Sequence, residues 1–296
     1  MTDAADRPAR ARPVLIGAAE MAEIDQAAQR LGVTADALME SAGTAVAEVA
    51  QVELARLAAP TGETPLTVVL CGPGNNGGDG LVVARRMAAT GGRVLAVLVG
   101  DAGRISGPAA AHNWTVLQAM AAGGSVELFV APSPDMLLVL RPRLSPATLL
   151  VDAMLGSGAS GPLREPISTA VDLLNALRTH ALAAGRACSV LAVDSPTRID
   201  MTNGSRSDPV VEADLTVSFH RAKAGFALDR EARRLAGRYF VSPIGIPLEA
   251  EEGIVPTDGA YPPARISEIT WEEPVPVEQR RVRPGEGIGA GPGLED

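Results

Sequence analysis

The sequence predicts an α/β protein: a mainly parallel sheet with helices on both faces. Three observations predict it. Short apolar runs alternate with stretches of helical spacing, the order of repeated βαβ units. Apolar residues make up 46% of the chain and aromatics only 3%, so the core is built from Ala, Val, Leu and Ile, the usual filling of a parallel sheet under helices. Loops rich in glycine or opening on aspartate follow three of the apolar runs, where open sheets of this kind gather ligands.

The elements follow in chain order. Two helices come first, Ala18 to Leu31 and Thr34 to Leu57, with Gly32 punctuating the joint and Thr34 as N-cap. Ala37, Leu38, Ala42, Ala45, Val46 and Val49 keep helical spacing in the second. The alternation then runs strand Leu66 to Cys71, helix Leu81 to Ala89, strand Val94 to Val99, helix Ala109 to Ala122, strand Val126 to Val130 and strand Thr148 to Asp152. It continues with helix Glu165 to Ala183 and strands Ser189 to Asp194, Leu215 to Phe219 and Arg238 to Val241. No repeat or composition break interrupts residues 13–248, which read as one domain. Residues 1–12 are polar and aperiodic and read as a disordered tail; residues 249–296, rich in Pro, Glu and Gly, read as a second tail.

The net charge of −9 argues against a nucleic-acid binder, whose affinity rests on Lys and Arg releasing counterions. It leaves room for a local anion site made of backbone N–H groups. Cys71 and Cys188 lack metal spacing and sit at the ends of apolar runs, so they read as small buried hydrophobes in a reducing compartment. No apolar run has the length of a membrane span or follows the N-terminal arginines as a secretion signal does. A cytoplasmic protein without a membrane partner is expected.

The most informative segment is Gly72-Pro73-Gly74-Asn75-Asn76-Gly77-Gly78-Asp79-Gly80. Its glycines let the backbone approach a ligand, and the helix expected from about Gly80 offers orphan N–H groups to a phosphate. Asn75 and Asn76 add amides able to coordinate a cation or orient a polar ring; Asp79 reads first as an N-cap. No Lys-Ser/Thr follows, as a P-loop requires. Gly72-x-Gly74-x-x-Gly77 matches the dinucleotide fingerprint in letters, but the acidic partner about 20 residues on is missing. A second loop begins at Asp152, and Asp194 ends the next strand. Two carboxylates therefore meet one polar loop at one sheet edge, one suited to a hard cation and the other, partly desolvated, to proton transfer. His112 and His180 are expected to face solvent; His220 and Lys223 are expected near the site.

Leu38-Met39-Glu40-Ser41-Ala42-Gly43, Cys71 to Gly80, Leu81-Val82-Val83-Ala84-Arg85, Val151 to Pro166, Asp194-Ser195-Pro196, Thr216 to Lys223 and Gly245-Ile246-Pro247 together resemble the NAD(P)H-hydrate epimerase family, the YjeF N-terminal domain. The resemblance covers about residues 15–248 and implies a Rossmann-like αβα sandwich, a homodimer and one bound potassium ion per subunit. The implied reaction interconverts the R and S epimers of NADHX or NADPHX, the product passing to a separate dehydratase. It places substrate contacts on Asn75, Asn76, Gly77, Gly78 and Asp79, on Gly156, Ser157, Gly158, Ala159, Ser160, Gly161, Pro162, Leu163 and Arg164, and on Asp194. The potassium ligands it implies are Asn76, Asp152 and Thr197, and Asp194 is the expected catalytic acid and base. The third loop departs from the family's Asp-x-Pro-Ser-Gly-x-Asp: it reads Asp194-Ser195-Pro196-Thr197-Arg198-Ile199-Asp200. Thr197 keeps a hydroxyl and a carbonyl. Arg198 stands for a glycine, so it either opposes a positive φ or adds a phosphate contact. Two other classes remain open on sequence alone, a non-catalytic scaffold of the same fold and an NAD-dependent oxidoreductase using Asp101.

Overall fold

The computed structural model describes residues 14–57, 64–156, 163–256 and 259–271. The expected N-terminal tail and most of the expected C-terminal tail lie outside them. Eight strands form one sheet in the order β3-β2-β1-β4-β5-β6-β7-β8. They are Leu66–Cys71 (β1), Arg93–Val99 (β2), Glu127–Ala131 (β3), Ala147–Ala153 (β4), Ser189–Val193 (β5), Leu215–Phe219 (β6), Arg238–Ser242 (β7) and Ser267–Glu268 (β8). All pairings are parallel except β7 with β8.

Helices cover both faces. Ala18–Arg30 (α1), Ala35–Leu57 (α2), Asn75–Ala89 (α3) and Pro108–Ala122 (α4) bury Ile24, Val46, Leu81 and Leu117 against Val69, Val151, Val193 and Val217. Pro134–Leu144 (α5) and Ile167–Ala183 (α6) place Leu137, Leu144, Val171 and Leu174 on the opposite face, against Val68, Leu70, Leu150 and Val190. The short helices Ala224–Leu228 (α7) and Arg230–Ala236 (α8) extend that second layer, packing Phe226 and Leu235 on Tyr239 and Val241. Alternate strand residues enter the two cores, as the two-residue period of a strand requires. The expected three-layer αβα architecture is the observed one, and its layers are filled by aliphatic side chains.

Thr34 caps α2 as expected, its Oγ1 accepting from the N–H of Ala37 at 3.2 Å. Three expectations need correction. Helix α3 begins at Asn75 with Gly74 as N-cap, not near Gly80, so Asp79 lies inside the helix and caps nothing. The glycine run reads as loop by propensity, but packing overrides propensity here: a Cβ on Gly77 would stand 1.7 Å from the Gly72 carbonyl oxygen, and one on Gly80 2.4 Å from the Ala153 Cβ. Helices α5, α7 and α8 were not anticipated; Pro142 inside α5 hides the spacing of Leu137, Leu140 and Leu144. Finally, the chain after Leu248 does not leave the domain at once. Residues 248–251 form a 3₁₀ turn, β8 pairs with β7, and Trp271 stacks on Tyr239 with ring centroids 5.8 Å apart. The fold therefore extends at least to Trp271.

Candidate functional site

The chain order β1-β2-β3 runs to one side of the sheet and β4 returns to the other side of β1. The carboxyl ends of β1 and β4 thus flank the switch point where open sheets leave a crevice. The loop after β1 is tied across it, the Gly72 N–H donating to the Ala153 carbonyl at 2.9 Å. On its other side the Ser106 N–H donates to the Pro73 carbonyl at 2.8 Å, bringing the N-terminus of α4 beside that of α3. Two helix N-termini, with their orphan N–H groups, therefore border one polar loop.

Asn76, in the first turn of α3, is buried, and neither its amide oxygen nor its amide nitrogen has a hydrogen-bond partner among the described residues. A buried amide left so is costly, about 1–3 kcal/mol per group. Gly156, after β4, lies against it: a Cβ there would stand 3.2 Å from that of Asn76. Asp152 is wholly buried. Its Oδ2 accepts from the Thr197 N–H and its Oδ1 from the Thr197 hydroxyl, both at 2.7 Å. The Met154 N–H adds a bond to Oδ1 at 3.2 Å. Burial pushes the Asp152 carboxyl up to about 6 against these bonds. An unsatisfied amide oxygen, a buried carboxylate and a threonine are hard oxygen donors of the kind an alkali or alkaline-earth cation takes. No cluster of three or more His, Cys, Asp or Glu side chains suited to a metal exists among the described residues.

The sequence also brings Asp194 to this edge. It follows β5 with φ 64, its N–H donating to the Val217 carbonyl at 2.8 Å and its Oδ1 accepting from the Ser218 hydroxyl at 3.1 Å. A non-glycine residue held at positive φ stores strain, which persists where the surroundings fix it and is common at working sites. Lys223, wholly buried, donates from Nζ to the Phe219 carbonyl at 2.8 Å. Burial raises the Asp194 carboxyl, while the ammonium of Lys223 pulls it down. Asp79 is held well above the carboxylate range by burial and by the charges of Asp194 and Asp25. Asp25, on α1, is pushed up to about 6 by burial and by Asp194, with Lys223 opposing. Burial lowers Lys223, with Asp194 and Asp25 holding it up. Three carboxyl groups and one amine from four elements thus share one charge balance. Sequence reading missed Asp25, because nothing in the charged face of an amphipathic helix marks which carboxylate turns inward.

Arg198 does take the left-handed backbone, φ 86, and its Nε donates to the Ser207 hydroxyl at 2.7 Å. The loop therefore keeps the conformation a glycine would give, and Thr197 still reaches Asp152. Leu163 packs against the core beside α6, and the Arg164 carbonyl accepts from the Ile167 N–H at 3.0 Å; Ser157, Gly158, Ala159, Ser160, Gly161 and Pro162 lie outside the described residues. His112 and His180 are exposed, and Cys71 and Cys188 buried and free, as expected. His220 is buried beside the site turn, but its Nε2 bonds Glu251 Oε1 at 2.7 Å. Burial takes its ring down to about 4.

A cavity of about 540 Å³ opens at the other edge of the sheet, lined among others by Glu53, Arg56, Arg178, Asp214 and Arg238. Each guanidinium there is already held by a carboxylate: Arg56 by Glu53, Arg178 by Asp214 and Arg238 by Glu268. The orphaned amide, the strained aspartate and the coupled carboxylates all lie at the crevice instead, which is therefore the candidate site.

Known proteins resemble this chain along most of its described length. Residues 35–225 match the family described as YjeF-related protein N-terminus. The NAD(P)H-hydrate epimerase of Cenarchaeum symbiosum is 32% identical over 245 residues, 81% of this chain and 99% of that one. The bifunctional NAD(P)H-hydrate repair enzyme Nnr of Pyrobaculum aerophilum is 39% identical over 82% of this chain, which spans only 44% of that relative. The crystal structure of the yeast protein ynu0 superposes with a TM-score of 0.65 at 25% identity, covering 86% of this chain and all of that one. No described helix is long and apolar enough to cross a membrane.

Proposed function

Since the chain belongs to the family of the YjeF-related protein N-terminus, we propose that it is an NAD(P)H-hydrate epimerase, interconverting the R and S forms of NADHX or NADPHX at C6 of the hydrated nicotinamide ring. One observation carries the reading: the loop opened by the strained, desolvated Asp194 is tied through Thr197 to the buried Asp152 at the switch-point crevice, where the polar α3 begins. The ring nitrogen lies next to the carbon bearing the hydroxyl. Asp194 in its acid form protonates that hydroxyl, the C–O bond breaks, water leaves, and the nitrogen lone pair closes an iminium. Water then adds to the opposite face of C6 and its proton returns to the Asp194 carboxylate. Atoms and protons balance, and one carboxyl serves both steps. Desolvation, which raises Asp194, favours the acid form that the first step needs.

In the same reading, the helix N-terminus at Asn75, Asn76, Gly77, Gly78 and Asp79 and the loop from Gly156 to Arg164 hold the dinucleotide. Asn76, Asp152 and Thr197 hold a potassium ion, which supplies positive charge beside an anionic ligand. The working form is a cytoplasmic homodimer, and a dehydratase consumes the S epimer. The test incubates the protein with purified R-NADPHX and an S-specific dehydratase and follows the absorbance of NADPH. Acceleration over spontaneous epimerisation is expected, falling at least about a hundredfold in Asp194→Asn; no acceleration by the unmodified protein sinks the reading.

A further inference from the structure

We propose that Ser218 is a positioning residue for this reaction: its hydroxyl, donating to Asp194 Oδ1 at 3.1 Å, aims the carboxyl and favours its ionised form. Only the functional half of the inference rests on the epimerase reading.

Ser218 lies in β6, wholly buried and opposite Val241 of β7. Parallel strands covered on both faces are mostly aliphatic, so a buried hydroxyl there needs an acceptor. Strand β6 carries two such hydroxyls and spends them differently. Thr216 and Ser218, two residues apart, share one face of the strand. The Thr216 hydroxyl donates to the Ala236 carbonyl at 2.7 Å and so ties the end of α8 to the sheet. Ser218 instead reaches the turn after β5, where its partner is a side chain, the carboxyl of Asp194.

That turn is anchored to the same strand, the Asp194 N–H donating to the Val217 carbonyl at 2.8 Å. Backbone and side chain of Asp194 are thus fixed to consecutive residues of β6. This double hold keeps the residue at φ 64 and restrains rotation of its carboxyl. A carboxyl oxygen accepts in the acid and in the carboxylate, so the hold lasts through a cycle of proton transfer. The bond is stronger to the carboxylate; it therefore eases loss of the proton, against the burial that raises Asp194.

The other ionisable groups facing Asp194 are Lys223 after β6, Asp25 on α1, Asp79 on α3 and Tyr239 on β7. The Tyr239 phenol oxygen accepts from the Lys223 N–H at 3.1 Å. Glu251, on the 3₁₀ turn, is engaged by His220 and Arg221. All of these remain in Ser218→Ala, so a change at Asp194 in that variant reports the hydroxyl.

The test compares Ser218→Ala and Ser218→Thr with Thr216→Val, which removes the other buried hydroxyl of the same strand face. With R-NADPHX and the S-specific dehydratase, Ser218→Ala is expected to lower kcat at least about tenfold with KM changed less than about twofold. The high-pH fall of kcat/KM is expected to move up by about one pH unit, since a carboxyl without its donor keeps its proton longer. Ser218→Thr, which restores the donor, is expected to return the limb to its wild-type place, and Thr216→Val to leave it there. A second readout needs no turnover: the midpoint of the Asp194 carboxyl, followed by ¹³C NMR and assigned through Asp194→Asn, is expected to rise in Ser218→Ala in parallel with the limb. An unmoved or lowered midpoint in folded Ser218→Ala overturns the proposal, as does a rate lowered equally at every pH or a limb that Thr216→Val shifts as far. A protein without epimerase activity whose midpoint still rises removes the functional reading and keeps the hold on Asp194. Should Ser218→Ala not fold, Ser218→Cys carries the test, because a thiol is a weak donor: the midpoint must rise, and no rise overturns the proposal.

Discussion

Asp194, Arg198 and His220 hold left-handed backbone, with φ of 64, 86 and 65, and all three lie in the turns that follow β5 and β6. Each costs on the order of 1 kcal/mol or more and persists because neighbouring bonds fix it. His220 is held by its N–H donating to the Ser242 carbonyl at 2.7 Å. Arg198 is the informative case. Its replacement by glycine relieves about 1 kcal/mol of strain and loses about 1 kcal/mol of hydrogen bonding to Ser207. Arg198→Gly is therefore expected to shift Tm by no more than about 3 °C, and a drop beyond 10 °C in thermal unfolding refutes that balance. Asn76 makes the second residue-scale prediction. If its orphaned oxygen serves a potassium ion, exchanging tetramethylammonium chloride for potassium chloride at equal ionic strength raises Tm, and Asn76→Ala abolishes the increment. Equal Tm values in both salts count against the cation site. Asn76, Asp152 and Asp194 were legible as candidates because their types and their places after strands are visible in the chain, whereas Thr197 was named only by the family resemblance. Asp25 was not legible, since its inward turn depends on how α1 docks.

At the scale of elements, α3 shows why boundaries are read less well than existence. Its glycines lower helix propensity in the first turn, and only contact with neighbouring backbone makes them necessary. Position by position they differ. A Cβ on Gly77 would meet the Gly72 carbonyl oxygen at 1.7 Å, whereas one on Gly74 meets nothing within 4 Å. Gly77→Ala is thus expected to cost at least about 3 kcal/mol. Gly74→Ser, at an N-cap with φ −94 and ψ −170, is expected to be neutral or to gain a few tenths of a kcal/mol. Denaturant unfolding of the two variants decides, and equal midpoints contradict the argument. Gly43 works in the same way between helices. A Cβ there would stand 2.4 Å from that of Val82, so this glycine of the resemblance sets how closely α2 approaches α3. Glu40 beside it binds both Arg85 and Arg86.

At the scale of the whole molecule, the residues past Leu248 close the structure over its own site turn. Glu251 accepts from Arg221 Nη2 at 2.7 Å and meets His220 at the same distance, and the Ala260 carbonyl takes Arg221 Nη1, also at 2.7 Å. Arg221 is 4% exposed, so removing its counter-charge leaves a buried cation uncompensated. Glu251→Gln is expected to cost about 3–5 kcal/mol, visible as a lower urea midpoint; a change under 1 kcal/mol shows that the segment only decorates the domain. Composition hid this, because Pro, Glu and Gly dominate the segment and the apolar contacts it makes, such as Trp271 on Tyr239, are few and far apart in sequence. By itself the sequence determined the βαβ order, the aliphatic core and the three loops bearing the candidate chemistry, because these depend on local periodicity and on residue type. Tertiary structure alone decided where α3 begins, that Arg198 accepts the backbone of a glycine, that Asp25 and Lys223 join Asp194, and that the C-terminal segment belongs to the fold. Each of those depends on what lies across space from a residue, where steric contact and desolvated charge outweigh local preference.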